Sequence, residues 1–253
     1  MQELKVMSYN IYVGGSGKKT PERRTPAVVS VIRSQLPDSF GVQEASESWR
    51  QRLAEVLPEY ASVGLGREES DKGEACPVFY LKDKFDLVRS ETFWLSPTPE
   101  KPSLGWDARF NRVATIAVLR DKTTGATFSH MNTHFDHIGP VARLESAAMV
   151  CQKIDALDLP CVLTGDLNDV EESPMYHRLI EGGLRDTKNL AADADSGITF
   201  HGYKKIDKSN HKIIDFVLVN HFCQSVKSYR ILRDKIGGIY PSDHFAVVAT
   251  MTF

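Results

Sequence analysis

Four stretches of the chain place apolar residues at helical spacing. Residues 25–37, TPAVVSVIRSQLP, put Val28, Val31, Ile32 and Leu36 on one face, with Thr25 as cap, Pro26 in the first turn and Pro37 as the stop. Residues 46–58, SESWRQRLAEVLP, repeat the design with Ser46 ahead of Trp49, Leu53, Val56 and Leu57. In GPVARLESAAMVCQKIDALD, residues 139–158, Val141, Leu144, Ala148 and Cys151 line up, and SPMYHRLIEGG runs from a Ser173 cap to a Gly182 stop. Each pattern predicts a helix with one apolar face to bury.

Between them lie short β-rich runs: LKVMSYNIYV, SFGVQE, VFYLKDKFDLV, TFWL, VATIAVLRD, TFSHMNTHF, CVLTG, IIDFVLV and HFAVVATMTF. Several are apolar at both alternating sets of positions, as strands covered on both faces are. The expectation is an α/β (α+β) chain in which two sheets pack on each other with helices outside.

The ends of these runs carry the chemistry. Four finish on a polar group: Asn10 after KVMSY, Glu44 after FGVQ, His134 after FSHMNT, and Asp166 with Asn168 after CVLTG. Two others begin with one, Asp215 before FVLV and Asp243-His244 before FAVVA. If all six share one site, the last two strands run opposite to the first four, and the sheets are mixed or antiparallel. Any one of these Asp or Asn residues is more simply a turn cap; only the ensemble argues for a site.

Composition removes several classes. The 253 residues exceed the roughly 150 typical of one domain, yet no repeat, low-complexity tract or linker interrupts them, so one domain over residues 1–253 is expected. Lys+Arg 31 against Asp+Glu 33 leaves a formal charge of −2, without the basic excess of a protein that coats nucleic acid. Cys76, Cys151, Cys161 and Cys223 are scattered and form no zinc-finger spacing. No stretch of about 18 apolar residues and no apolar leader is visible, so a cytoplasmic protein without a membrane span is expected, or a secreted or periplasmic one if a signal peptide has been removed. No obligate protein partner is evident.

Asn10 in SYNIY, Glu44 in GVQEA, His134 in NTHFDH, Asp166 and Asn168 in TGDLND, Asp215 in IIDFVLV and Asp243-His244 in YPSDHFAVVA follow one another in a telling order. Together they resemble the motif set of the endonuclease/exonuclease/phosphatase superfamily, the DNase I-like fold, from residue 8 to 249. A lone SDH or GDxN would be weak; the full series is specific. The resemblance implies a four-layer sandwich, two packed sheets flanked by helices. It also matches Arg112 in FNRVATIAVL to an arginine that binds phosphate, and Glu74 in KGEACPVFY to a glutamate that pairs with the first catalytic histidine.

Four carboxylates in one cleft repel unless a cation neutralises them. Hard oxygen donors from Asn10, Glu44 and Asp243, with no thiolate, suit Mg²⁺, or Mn²⁺ in its place. The resemblance assigns Asp166 to activate water, Asn168 to hold that water or a phosphate oxygen, Asp215 to orient His244, and His244 with His134 to stabilise charge on the phosphoryl group. The implied reaction is Mg-dependent hydrolysis of a phosphate ester, first a phosphodiesterase or nuclease, alternatively a phosphatase of a small phosphorylated metabolite, sugar or lipid headgroup. A binding module that keeps the fold without turnover is the non-enzymatic alternative, against which stands the complete set of catalytic positions.

Other features divide evenly. Asp136 and His137 either join the site or only shape a loop. Lys204, Lys205, Lys208 and Lys212, and the GSGKKTPERR segment, read either as attractors of a polyanion such as nucleic acid or as solvated loops. Trp106 and Phe110 are candidates to stack a base or sugar, whereas Phe93 and Trp94 read as core. His211-Lys212-Ile213-Ile214 departs from the arginine that relatives often carry before the Asp215 motif, which bears on substrate preference.

Overall fold

The computed structural model describes residues 3–204 and 212–253. The strands, in chain order, begin with β1 (Leu4–Asn10), β2 (Ser39–Gln43), β3 (Tyr60–Val63), β4 (Gly66–Glu68), β5 (Lys72–Ala75), β6 (Val78–Leu81) and β7 (Phe85–Trp94). They continue as β8 (Val113–Asp121), β9 (Thr127–His134), β10 (Cys161–Asp166), β11 (Arg185–Asp186), β12 (Ala191–Ala194), β13 (Asp215–Val219), β14 (Ser225–Leu232) and β15 (Ala246–Thr252). The helices are α1 (Pro21–Gln35), α2 (Glu47–Val56), α3 (Pro140–Leu157), α4 (Pro174–Glu181) and the single turn α5 (Thr187–Leu190).

One sheet runs β12-β14-β15-β1-β2-β6-β3, the other β11-β13-β10-β9-β8-β7, and β4-β5 form a separate hairpin. Strand directions follow the expectation from the strand ends. β1 and β2 are parallel, β15 is antiparallel to β1, β9 and β10 are parallel, and β13 is antiparallel to β10. The sheets are therefore mixed.

The sheets face each other with β1 and β2 across from β10, β13 and β9. Helices α1 and α2 bury Val28, Ile32, Trp49 and Leu53 against Met7, Tyr9, Phe40 and Val42 of the first sheet. Helices α3 and α4 contribute Ala147, Val150, Ile154, Met175 and Leu179 to the core of the second. This is the four-layer α+β sandwich.

Between the sheets, close to the site, the core turns polar. His130 Nδ1 meets Ser39 Oγ at 2.7 Å and its Nε2 meets Thr164 Oγ1 at 2.9 Å, while Gln43 Nε2 donates to Asn132 Oδ1 at 2.7 Å. Buried polar groups must find such partners, and here the partners lock the register of one sheet on the other. A side chain at Gly41 would run into Asn132 and Thr164, so this close approach requires glycine.

Several local expectations hold and several change. Ser46 Oγ accepts from Trp49 N, Ser173 Oγ accepts from Tyr176 N, and Gly182 closes α4. Helix α1, however, starts at the earlier Thr-Pro pair, with Thr20 as N-cap and Pro21 in the first turn. Thr25 lies inside it and donates its hydroxyl to Pro21 O, and Leu36 is an exposed left-handed C-cap, not part of the buried face. Helix α3 turns Ala142, Ser146, Ala147, Val150 and Ile154 inward, whereas Val141 is exposed. Small residues let that helix lie close on the sheet. The run Val78–Val88 splits at a turn, β6 joining one sheet and β7 the other, and β7 extends through the TFWL segment.

Candidate active site

Register brings the polar strand ends together. Asp166, last residue of β10, stands beside His134 across the parallel β9 and beside Asp215 across the antiparallel β13. In the other sheet Asn10 ends β1 opposite Gln43, so Glu44 follows directly, and β15 pairs Val247 with Ser8, which brings Asp243 and His244 back to the same end. Two sheets thus present their chemistry at one shared edge. Tyr12, Glu44 and Asn168 there hold left-handed backbone with φ of 59°, 60° and 52°, the kind of strain that surrounding structure sustains at functional sites.

Asp166 is 2 % exposed and fully engaged. Its Oδ2 accepts from Asn10 Nδ2 at 2.9 Å and its Oδ1 from Asn168 N at 3.0 Å, while His134 Nε2 and His244 Nε2 lie 3.5 Å and 3.6 Å from Oδ2. Burial pushes its pKa up, opposed by the charge of His244. His244 Nδ1 lies 2.9 Å from Asp215 Oδ2, both side chains being buried. Burial alone would neutralise that imidazole, but the carboxylates of Asp215 and Asp166 outweigh it and raise the pKa to about 10. His134 is driven the other way, well below the usual range, by burial and the nearby Arg112 charge. A neutral ring fits its partner, since Asn168 Nδ2 donates to His134 Nε2 at 2.9 Å and to Phe135 O at 3.0 Å.

These groups open into a cleft of about 300 Å³ that includes Glu44, Arg112, His134, Asp166, Asn168, Asp243 and His244. Asn10 and Asp215 back it from beneath, each 0 % exposed. Arg112 is held by Asp136, which lies 3.4 Å from its Nε and also accepts from Ile138 N and Gly139 N. Burial opposes ionisation of Asp136, but those backbone donors and Arg112 prevail and lower its pKa to about 2. Asp136 therefore shapes the loop and also aims the guanidinium. His137 lines the cleft, with Arg112 Nη2 3.2 Å from its Nδ1 and Phe110 stacked on its ring at 5.8 Å.

Glu74 does not pair with His134. Its carboxylate forms two 3.0 Å hydrogen bonds to Arg67, seven residues earlier across the β4-β5 hairpin. Arg67 is a cleft residue that nothing in the strand-end pattern marks, as are Tyr12 and Phe200. Phe200 tilts against His244 at 4.7 Å and Phe110 carries the Arg67 guanidinium over its ring at 4.9 Å. Trp94 is buried and donates to Arg67 O, in keeping with a core role. Asp169, at the same strand tip as Asp166, is taken up by Arg143. Lys19 sits over the Tyr203 ring at 4.1 Å, and residues 205–211 of the lysine-rich segment lie outside the described residues.

A sequence model of the Endonuclease/Exonuclease/phosphatase family matches residues 7–244. The chain belongs to that family. Its fold agrees with solved members: it superposes on an endonuclease/exonuclease/phosphatase from Bacteroides vulgatus with a TM-score of 0.94, at 32% identity over 100% of this chain and 99% of that one. A mannosyl-6-phosphatase from Bacteroides thetaiotaomicron gives a TM-score of 0.91, at 33% identity over 99% of this chain and 100% of the other. Human nocturnin is 23% identical over 99% of this chain, which spans 65% of the length of that relative. Members of the family are phosphoester hydrolases, nucleases and phosphatases among them. Among the described residues no helix is long and apolar enough to cross a membrane.

Family enzymes generally use divalent cations, and the cleft has donors to fit one. After burial, the charge of Glu44 is a cause that raises the pKa of both Asp243 and Glu74, so these carboxylates lie close enough to repel, and a cation bound among them would relieve that repulsion. Among the described residues Asn10 Oδ1 accepts only from Tyr12 N, which leaves a lone pair. Asp166, Asp215 and His244 also bring possible ligand atoms within 4.8 Å of one another. That group could hold an ion, but a charged imidazole already bound to Asp215 is a poor ligand, and the oxygen donors of Glu44, Asp243 and Asn10 fit a hard cation better.

Proposed function

We propose that the protein is a Mg²⁺- or Mn²⁺-dependent phosphomonoesterase acting on a small phosphorylated metabolite, with a phosphosugar as the favoured class, and that its whole chain works as one catalytic domain. The observation that carries this reading is the cleft itself: about 300 Å³, at the small end for ligand pockets, with Asp166 and His244 beside Arg112. Among the described residues its rim carries Glu44, Glu74 and Asp243, and Glu74 neutralises Arg67, so the described rim forms no continuous basic track of the kind a nucleic acid backbone requires. Similarity to the mannosyl-6-phosphatase supports the same class.

In this reading Arg112 binds a phosphate oxygen, and Asn168 and His134 line the water. Asp166 takes one proton of the water as the water oxygen bonds to phosphorus; the P–O ester bond breaks and the leaving oxygen departs as the alcohol, protonated from solvent. His244, kept charged by Asp215, offsets negative charge growing on the phosphoryl oxygens. Glu44, with Asn10 and Asp243, would hold the cation, which would supply Lewis-acid polarisation of the phosphate when bound.

A phosphodiester is the second reading, favoured by Phe110 and Phe200, cleft-lining residues that are 41% and 46% exposed and suit stacking of a base. Both are tested on one panel: phosphosugars, nucleotides, a simple phosphodiester, RNA and DNA, with EDTA and Asp166→Asn as blanks. Phosphate release from phosphosugars alone supports the monoesterase; diester cleavage lost in both blanks replaces it with the phosphodiesterase. Activity that survives EDTA and Asp166→Asn sinks both.

A further inference from the structure

Arg24 is a residue of α1 with its side chain fully buried and, among the described residues, with no carboxylate bonded to it. Its five N–H groups all donate to main-chain carbonyls: Nε to Lys19 at 2.6 Å, Nη1 to Ile11 at 2.6 Å and Pro241 at 2.9 Å, and Nη2 to Tyr12 at 2.6 Å and Gly14 at 3.0 Å. The rings of Tyr12 and Trp49 each lie 5.2 Å from the guanidinium carbon. Burying an unpaired cation is expensive, and burial indeed lowers the Arg24 pKa. A core could fill this space with an apolar side chain.

What the cation holds explains its place. Ile11 to Gly14 directly follow Asn10, and the curl around Arg24 aims Tyr12 N at Asn10 Oδ1, 3.0 Å, and Val13 N at Glu44 Oε2, 2.7 Å. The Pro241 carbonyl precedes Ser242, whose hydroxyl donates to Asn10 O at 2.7 Å and lies 3.4 Å from Asp243 Oδ1. One guanidinium therefore ties the segment after Asn10 to the segment before Asp243 and sets the backbone donor that fixes Glu44. We infer that Arg24 is a positioning residue for the divalent cation: it touches neither cation nor substrate, and it ties together the segments that carry the Asn10, Glu44 and Asp243 donors.

The inference rests on the proposed cation site. A fork of five donors has no substitute in lysine, which keeps the charge with three donors on one atom. Outer groups that orient metal ligands typically contribute about 10–100-fold in metal affinity.

The test is calorimetric titration of Mn²⁺ into wild type, Arg24→Lys, Ser242→Ala and Glu44→Gln, with circular dichroism to verify folding. Folded Arg24→Lys should bind Mn²⁺ about tenfold or more weakly, while KM for the hydrolysed ester at saturating Mn²⁺ stays within about twofold. Wild-type Mn²⁺ affinity in folded Arg24→Lys, or a KM that rises in step with the loss, overturns the inference. If Arg24→Lys does not fold, Ser242→Ala decides: it severs the next link, weaker Mn²⁺ binding is expected, and unchanged affinity overturns the inference. Glu44→Gln separates the two levels, because Mn²⁺ binding that ignores this substitution sinks the cation site itself.

Discussion

His244 turns one edge of its ring to Asp215 and the other to Asp166, with Nδ1 2.9 Å from Asp215 Oδ2 and Nε2 3.6 Å from Asp166 Oδ2. The first contact settles where one proton sits and the second gives the ring a reason to keep two. A carboxylate on each side makes a buried imidazolium stable, and that charge faces the cleft where a phosphate would lie.

Asp215→Asn removes the stronger of those two supports. The folded pKa of His244 is about 10 against an ordinary 6.5, so its contribution to stability is complete below 6.5 and is lost as pH rises through 10. In Asp215→Asn that contribution shrinks, and the urea midpoint near pH 8 should fall toward the value wild type shows only in more alkaline solution. Turnover at pH 7 should drop by up to about 10²–10³-fold, the range for losing one preorganised group that stabilises developing negative charge. Urea titrations and kcat against pH check both; a midpoint and profile matching wild type would contradict the pairing.

Asp166→Asn should lose turnover by about 10²–10⁴-fold yet fold normally. The amide oxygen can still accept from Asn10 or Asn168, and a group whose charged form is disfavoured by burial becomes neutral. A cooperative melt at or somewhat below the wild-type temperature, since His244 loses one of its two carboxylate supports, with turnover near the blank is the expected pair of results. Wild-type turnover in this variant would remove Asp166 from the reaction.

His130 makes the inter-sheet polar layer sensitive to acid. Ser39 Oγ donates to Phe79 O, which leaves His130 Nδ1–H to donate to Ser39; Nε2 of the neutral ring then accepts the Thr164 hydroxyl proton, in competition with Asn132 Oδ1 at 3.0 Å. Burial lowers the pKa to about 3 from 6.5, and so the unfolded chain takes up the proton first. Stability from this group is complete above 6.5 and drains as pH falls toward 3. The urea midpoint of wild type should fall over that interval more steeply than that of His130→Asn, which starts lower at pH 7 because Ser39 and Thr164 lose partners. Equal slopes would count against it.

Phe110→Ala tests the cleft wall. The ring stacks on His137 and carries Arg67 over its face, and a stacked sugar would use what remains exposed. An aromatic contact contributes about 0.5–1.5 kcal/mol, so KM should rise about two- to tenfold with kcat little changed. Initial rates over a range of phosphosugar concentrations measure this; unchanged KM would place the ring outside the substrate's path.

Much of the site was legible because strands expose their ends in a regular way. An apolar run that stops on Asn10, Glu44, His134 or Asp166 announces both a strand and a residue left at its tip. The opposite placement of Asp215 and Asp243-His244 foretold the mixed sheets. β14 was not legible: half its residues are polar, a bulge breaks its alternation, and only Val226, Tyr229 and Ile231 turn inward. The split of Val78–Val88 was hidden too, because a three-residue turn sends two similar apolar strands into different sheets.

Arg24 and Arg67 show why the rest required three dimensions. Among several arginines nothing in residue type marks the one that binds five carbonyls, since its partners are main-chain groups every residue possesses. Glu74 reads equally well as a partner of His134 or of Arg67, and the β4-β5 hairpin chooses Arg67 by bringing it within 3.0 Å. Local periodicity and strand-end chemistry, joined to the resemblance of the ordered motif series, indicated the sandwich, the strand directions and the polar residues at the shared strand-end edge, because burial of apolar faces is written residue by residue. Only the tertiary structure decided which partner each charge found, and hence which histidine is charged and which neutral, because electrostatic energy depends on separation and burial and not on position along the chain.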